Sequence, residues 1–405
     1  MIKAQTLKGF RDFLPSAAIA RQVVMGKIKN VFERYGFDPL ETPALEYAET
    51  LLGKYGGEAD KLLYLFRDNG KRNVGLRYDQ TVPLSRVVAQ YPELPKPFKR
   101  YQIQPVWRAE NTQKGRFREF LQCDIDTVGS DSPLSDAEII DCSLNAFKQL
   151  GFSAITMDVN DRTIFDELNL TKKEMTIIDK LDKIGADAVI QELEAGGRKN
   201  AKNLFASLKK AKPTERIWKI FEALKKLGYK ENADFRFNPF LARGLDYYTS
   251  TIFELKTEAY PAGSLAGGGR YDKLIGQFSG QDLPAVGISF GFDRIMEAME
   301  EFKLLSTQKT ATQLLVTIFS PEQLGASLAL TTELRREGLN AEVYGDTGVK
   351  LDKQLKYADK KGIPYVIIQG PDEVNRNVVK LKNMQTNKQE ELTVDQVIAK
   401  LTKDA

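Results

Sequence analysis

The 405-residue chain contains no histidine. That absence excludes a Ser-His-Asp triad, an HExxH zinc site and an imidazole general base, so catalysis would have to rest on carboxylates, Arg, Lys, Tyr or a bound metal. Two cysteines, Cys123 and Cys142, are too few for a disulfide framework or a four-ligand zinc site, and both are expected in the core. No metal site built from His or Cys is therefore expected. No apolar run approaches the roughly 20 residues that cross a bilayer, and the N-terminus MIKAQTLKGFRDFLP lacks the apolar centre of a signal peptide. A cytoplasmic protein with no membrane contact is the expectation.

What is present is ordinary globular usage, 42% hydrophobic and 28% charged residues, in a chain long enough for two or three domains. The net charge of +4 is unevenly spread. Residues 171–230 carry 15 Lys and Arg against 8 Asp and Glu, which leaves the remainder slightly acidic. Such a segment suits a polyanionic partner, or else forms a solvated helical face.

Periodicity divides the chain. Residues 16–35 read as an amphipathic helix with Ser16 as N-cap, a stripe of Ile19, Val23, Ile28 and Phe32, and Gly36 as the C-terminal cap. In GFDPLETPALEY, Pro39 and Pro43 restrict the segment to an edge or irregular strand. Strand-like runs at 62–66, 74–78, 100–107 and 117–128 predict a largely antiparallel sheet. Helical patterns fill the stretch from about 160 to 232, punctuated by Gly196, Gly197 and Pro213. Strand character resumes in LARGLDYYTSTIFEL, where Tyr247 to Leu255 reads as a strand with Arg243, Gly244 and Asp246 at its mouth. The segment LLSTQKTATQ reads as a linker. Beyond it, LLVTIF, NAEVYG and PYVIIQ alternate with helical patterns, which favours a parallel α/β domain. The class is therefore α+β: an antiparallel sheet flanked by helices, a helical insertion and a C-terminal α/β domain.

The densest polar stretch is RYQIQPVWRAENTQKGRFREFLQCDID, a hairpin turning through AENTQKG. Period two places Arg116, Arg118, Phe120, Gln122, Asp124 and Asp126 on one face of the return strand. Cations lie toward the loop and carboxylates toward the far end. The face is either an exposed sheet surface with cross-strand ion pairs or a site for a ligand that is anionic at one end and cationic at the other. LRYDQTVPLSR adds Asp79 and Thr81. AGGGRYDKL adds glycines where a backbone can approach a ligand closely. In GISFGFDRIMEA, Arg294 in the first turn of a helix opposes the dipole and calls for an anion.

In this order the fragments resemble the class II aminoacyl-tRNA synthetases, and among them the histidyl-tRNA synthetase family. RGLDYYTSTIFE and AGGGRYDKL resemble its two signatures, VWRAENTQKGRFREFLQCDID its motif 2, GISFGFDRI its motif 3 and GFDPLETPALE its motif 1 dimer element. The likeness runs from GFRDFLP at residue 9 into a C-terminal part similar to the anticodon-binding module. It implies a catalytic domain over 1–165 and 233–303, a helical insertion over 166–232 and an anticodon-binding domain over 312–405. The implied reaction activates L-histidine with ATP and transfers it to tRNA(His), in a homodimer with Mg²⁺ bound through the ATP phosphates. Arg108 and Arg243 would be catalytic at the α-phosphate; Arg108, Glu110, Arg116 and Arg294 would bind ATP. Histidine would be held by Asp79, Thr81, Gln122, Asp126, Arg243, Tyr248, Tyr271, Gly267 and Gly268. Two departures are visible: Asp126 stands where many relatives have Glu, and Leu121 where an aromatic or histidine is frequent. Tyr247 is expected on the opposite face from Tyr248, in the core. The competing readings are a non-catalytic paralogue, which would tend to lose the motif arginines, and a class II enzyme for another amino acid.

Overall fold

The structure is a computed structural model describing residues 2–55, 60–112, 115–244, 246–260 and 263–403. The chain divides into two compact units, residues 1–12 with 24–305 and residues 13–23 with 306–405. The first contains the strands β1 (Asp38–Pro39), β2 (Leu45–Tyr47), β3 (Leu65–Arg67), β4 (Asn73–Leu76), β5 (Phe98–Trp107), β6 (Glu119–Val128), β7 (Thr156–Asp161), β8 (Phe235–Phe237), β9 (Thr251–Lys256), β10 (Ala266–Arg270) and β11 (Ala285–Gly291). Eight of them form one sheet in the order β1-β5-β6-β11-β10-β9-β7-β8, with β2, β4 and β3 in a separate small sheet. Among the described residues, only the β1–β5 and β7–β8 pairings of the large sheet are parallel. The short proline-bearing β1 is on the edge, where its missing N–H costs no ladder bond.

Period-two alternation sorts the two faces of this sheet. On β6, Cys123 and Ile125 point into a core shared with Val286 and Ile288 of β11 and Phe253 and Leu255 of β9. Among the described residues, helices Pro133–Gln149, Glu215–Lys226, Phe292–Glu301 and Pro15–Arg34 cover that face. Ser132 caps the first, its Oγ accepting the Leu134 N–H, and Pro133 follows at a position that needs no N–H. Ile139, Ile140, Leu144 and Phe147 of that helix are buried completely. The opposite face of the sheet carries Gln122, Asp124, Asp126 and Ser289, and borders a cleft.

Four expectations change. The first helix begins at Pro15, and its buried stripe is Val24, Ile28, Val31 and Phe32, while Val23 is exposed. The Tyr247 to Leu255 strand starts only at Thr251, so alternation does not apply to the tyrosines. Helix Glu215–Lys226, expected within the insertion, buries Ile217, Ile220, Phe221 and Leu224 in the main core, because that i, i+3, i+4, i+7 stripe has to be covered. The C-terminal sheet is mixed: Ala341–Val343, Leu314–Val316 and Tyr365–Ile368 are parallel, and Val379–Asn383 and Gln389–Leu392 add antiparallel to them.

Candidate active site

The cleft has a volume of about 260 Å³ and lies over β6, β10 and β11. Every residue predicted for the site lines it: Asp79, Thr81, Arg108, Glu110, Arg116, Gln122, Asp126, Arg243, Tyr248, Gly267, Gly268, Tyr271 and Arg294.

One end is acidic. Asp79 precedes helix Thr81–Gln90, and its Oδ1 accepts the Val82 N–H at 3.1 Å. The hydroxyls of Tyr55 and Tyr247 donate to the same carboxylate at 3.2 and 3.1 Å. Burial raises Asp79 above the usual carboxylate range, opposed by the Val82 N–H, Arg108 and the two hydroxyls. Asp126 faces Arg100 across the β5–β6 register, with the guanidinium 2.7 Å away, and its other oxygen accepts the Tyr271 hydroxyl at 2.5 Å. Burial, then the neighbouring Asp126 carboxylate, holds the Tyr271 phenol protonated, so it remains a donor. Asp124 lines the same cleft, and its Oδ1 has no hydrogen-bond partner among the described residues. Burial pushes Asp124 up to about 7; Arg100 opposes the shift and Asp126 adds to it.

The other end is cationic. Arg108 donates through Nε to the Tyr78 carbonyl at 3.1 Å, with its guanidinium over the Tyr78 ring. Arg116 has Glu110 at 3.5 Å, and Arg294 donates to the Ser264 carbonyl at 3.0 Å. Burial depresses Arg294, and so do Arg116 and Arg108, which is the signature of cations gathered without enough anions. Arg243 also lines the cleft and pairs with Glu254 at 2.9 Å. Burial would lower it, but Tyr248, Glu254 and Asp179 outweigh that and keep it charged.

Close backbone approach explains the glycines. A Cβ on Gly267 would lie 2.2 Å from Arg243 Nη1, and one on Gly287 would lie 1.9 Å from Asp126 Oδ1. Gly268 packs against the backbone of β11, with a Cβ meeting the Gly287 carbonyl at 2.1 Å.

Two sequence expectations need correction. Tyr247 is at the cleft, not in the core alone, because irregular backbone lets both tyrosines reach it. Arg118 precedes β6 and turns away, donating to the Glu110 carbonyl at 3.1 Å. Residues 113 and 114 of the hairpin loop and Leu245 lie outside the described residues. Sequence reasoning also missed Arg100, although the alternation of Arg100, Gln102 and Gln104 on β5 marks a polar face; it missed Gly287, Ser289 and Phe117 as lining residues as well.

Comparison with known proteins follows the same lines. Residues 9–295 match the family described as histidyl-tRNA synthetase, and residues 313–404 the anticodon binding domain family. The chain is similar to the histidine–tRNA ligase of Cytophaga hutchinsonii, 39% identical over 99% of this chain and 100% of that protein. It is similar to that of Wolinella succinogenes, 40% identical over 95% of each. The fold is similar to a histidyl-tRNA synthetase crystal structure from a Nostoc species, with TM-score 0.87 and 30% identity over 100% of both chains.

Proposed function

Because the chain belongs to the histidyl-tRNA synthetase family, and so activates L-histidine with ATP and transfers it to the 3′ end of tRNA(His), we propose how its own residues divide that work. The observation that carries the assignment is the separation of charge in one cleft: Arg108, Arg116 and Arg294 at one end, Asp79, Asp124 and Asp126 at the other, with Arg243 also on its wall.

In this reading the amino acid occupies the acidic end. Its ammonium group meets Asp79, Thr81 and Gln122, and its imidazole meets the Asp126–Tyr271 pair and Tyr248. Its carboxylate faces Arg243. A side chain lacking two ring nitrogens leaves buried polar groups of the site unpaired, at about 1–3 kcal/mol each. The ATP phosphates lie among the arginines; those phosphates would hold Mg²⁺, and the Glu110 carboxylate, which pairs with Arg116 at 3.5 Å, would supply oxygen chemistry suited to that ion. The histidine carboxylate attacks the α-phosphorus, pyrophosphate leaves, and Arg108 and Arg243 neutralise the charge that develops. Positioning and neutralisation supply the rate, so a site with no imidazole base is no handicap.

The segments 1–165 with 233–303 serve catalysis in this reading, 166–232 is the insertion, with its last helix built into the core, and 312–405 reads the anticodon. The compartment is the cytoplasm. A second copy is proposed to cover Leu45, Tyr47, Leu65 and Phe66, large apolar side chains exposed on the small sheet near motif 1. Loss of a dimer species in Phe66→Glu, measured by light scattering, tests that.

ATP–pyrophosphate exchange with each of the twenty amino acids tests the whole reading. Exchange with histidine alone is expected. Exchange with another amino acid, or with none, overturns it.

A further inference from the structure

The proposed division of work gives Arg100 no task, yet it is among the largest side chains that are fully buried. A guanidinium taken out of water has to be paired. Its Nη2 lies 2.7 Å from Asp126 Oδ2, and its Nη1 donates to Gln102 Oε1 at 3.3 Å. Gln102 is fixed in turn, its Nε2 donating to Thr42 Oγ1 at 2.8 Å and to Gln104 Oε1 at 2.6 Å. Register explains the placement, because Asp126 is opposite Arg100 of β5 on one side and Gly287 of β11 on the other. The arginine supplies a charge, and the glycine supplies space that a Cβ would fill. Asp126 Oδ1 accepts the Tyr271 hydroxyl at 2.5 Å. Oδ2 touches the guanidinium but accepts no hydrogen bond among the described residues, so one acceptor of this carboxylate is still open.

We propose that Arg100 is a positioning residue for histidine: without touching the substrate, it holds the Asp126 carboxylate charged and in place, so that its open oxygen accepts a hydrogen bond from the imidazole. The inference rests on the placement of the imidazole at Asp126. The physical reason is the company that Asp126 keeps. Asp79 and Asp124 line the same end of the cleft. Burial favours the protonated form of Asp126, Arg100 and the Tyr271 hydroxyl oppose it, and Asp79 adds to it. A carboxylate buried beside like charges takes up a proton unless a cation lies against it, and Arg100 is that cation. The charge matters for recognition, since a hydrogen bond to an ionised acceptor is roughly twice as strong as one to a neutral group. The hydrogen bond to Gln102, itself tied to Thr42, fixes where that charge sits before any ligand arrives.

The test is calorimetric binding of L-histidine and of ATP to the full-length chain carrying Arg100→Met, Asp126→Asn or both. Loss of one partner of a buried charged contact is worth about 10- to 100-fold, so Arg100→Met is expected to raise the Kd for histidine by that much and to leave the Kd for ATP unchanged. Because Arg100 acts through Asp126, its removal from the Asp126→Asn chain is expected to add less than about 2-fold. Arg100→Lys keeps the charge without the planar fork and is expected to fall between. An unchanged histidine Kd in Arg100→Met, equal losses for histidine and ATP, or the same fold-change with and without the Asp126 carboxylate overturns the proposal. If Arg100→Met does not fold, Arg100→Lys takes its place in the same cycle: a histidine-selective loss that vanishes beside Asp126→Asn supports the proposal, and no loss or an undiminished one removes it. Histidine binding left unchanged by Asp126→Asn alone would instead reject the placement of the imidazole beneath it.

Discussion

The Arg243 guanidinium crosses Gly267 so closely that a single added carbon would come within 2.2 Å of its Nη1. Gly267→Ala therefore acts on Arg243 rather than on the fold. If Arg243 neutralises the α-phosphate, displacing it should lower the rate of histidine-dependent exchange about 10²–10³-fold, as loss of one preorganised charge contact does elsewhere. The thermal midpoint of the variant should stay near that of the wild type. Wild-type exchange rates in Gly267→Ala would show that the arginine does not act there.

Asp124 titrates near 7 because it is buried, and a chain with no histidine has no imidazole to mask it. Its folded value is raised above its unfolded one, so the folded state binds the proton more tightly. The contribution to stability is complete below about pH 4 and is lost as pH rises through about 7. Arg100 and Arg77 face it with opposite charge, and Asp79 and Asp126 with like charge; Tyr271 is the other titratable neighbour. Asp124→Asn removes the titration, so its midpoint should fall less than the wild type's between pH 5 and 8. Parallel pH profiles would contradict this.

Arg270 follows the three glycines but points to the other face, where it meets Asp136 at 2.7 Å with both side chains fully buried. The Ser130 and Ser132 carbonyls accept from the same guanidinium at 3.1 and 3.0 Å. Asp136→Ala removes the buried partner of that cation, leaving, among the described residues, only the partly exposed Asp272 at 3.5 Å and Asp131 at 3.6 Å, and should cost about 3 kcal/mol in urea unfolding. A loss below about 1 kcal/mol, the value of an exposed pair, would show that water reaches the site.

Helix Ala201–Lys210 exposes Lys202, Lys209 and Lys210 on one basic surface. Lys209→Glu with Lys210→Glu should raise the KM for tRNA, more steeply at low salt, because charge contacts with phosphate are screened. Pyrophosphate exchange needs no tRNA and should not change. Aminoacylation indistinguishable from wild type would remove tRNA contact from this helix.

How much could be read from the residues followed from how local each signal was. The polar face of β6 was legible because alternation on a regular strand fixes orientation: Gln122, Asp124 and Asp126 do share the cleft side. The same rule failed for Tyr247, since the backbone before Thr251 is not a strand. Arg100 was hidden because its partner, Asp126, comes from register across a hairpin, and Arg11 because its partner Asp293 lies 282 residues away. Helix Glu215–Lys226 looked like part of an insertion because its stripe says that it must be covered without saying by what.

The pairing of β6 with β11 also has a consequence for synthesis. Gln122 donates to Ser289 across that seam, and the two are 167 residues apart. A ribosome that has delivered the hairpin has delivered the arginines of motif 2 and the carboxylates beside them, but neither Gly287 behind Asp126 nor Arg294. Until Arg294 emerges there is no enclosed place for a nucleotide or an amino acid, only a basic and acidic ribbon with an unpaired edge. In the proposed reading, the growing chain gains a complete substrate cleft only after β11 has joined the sheet.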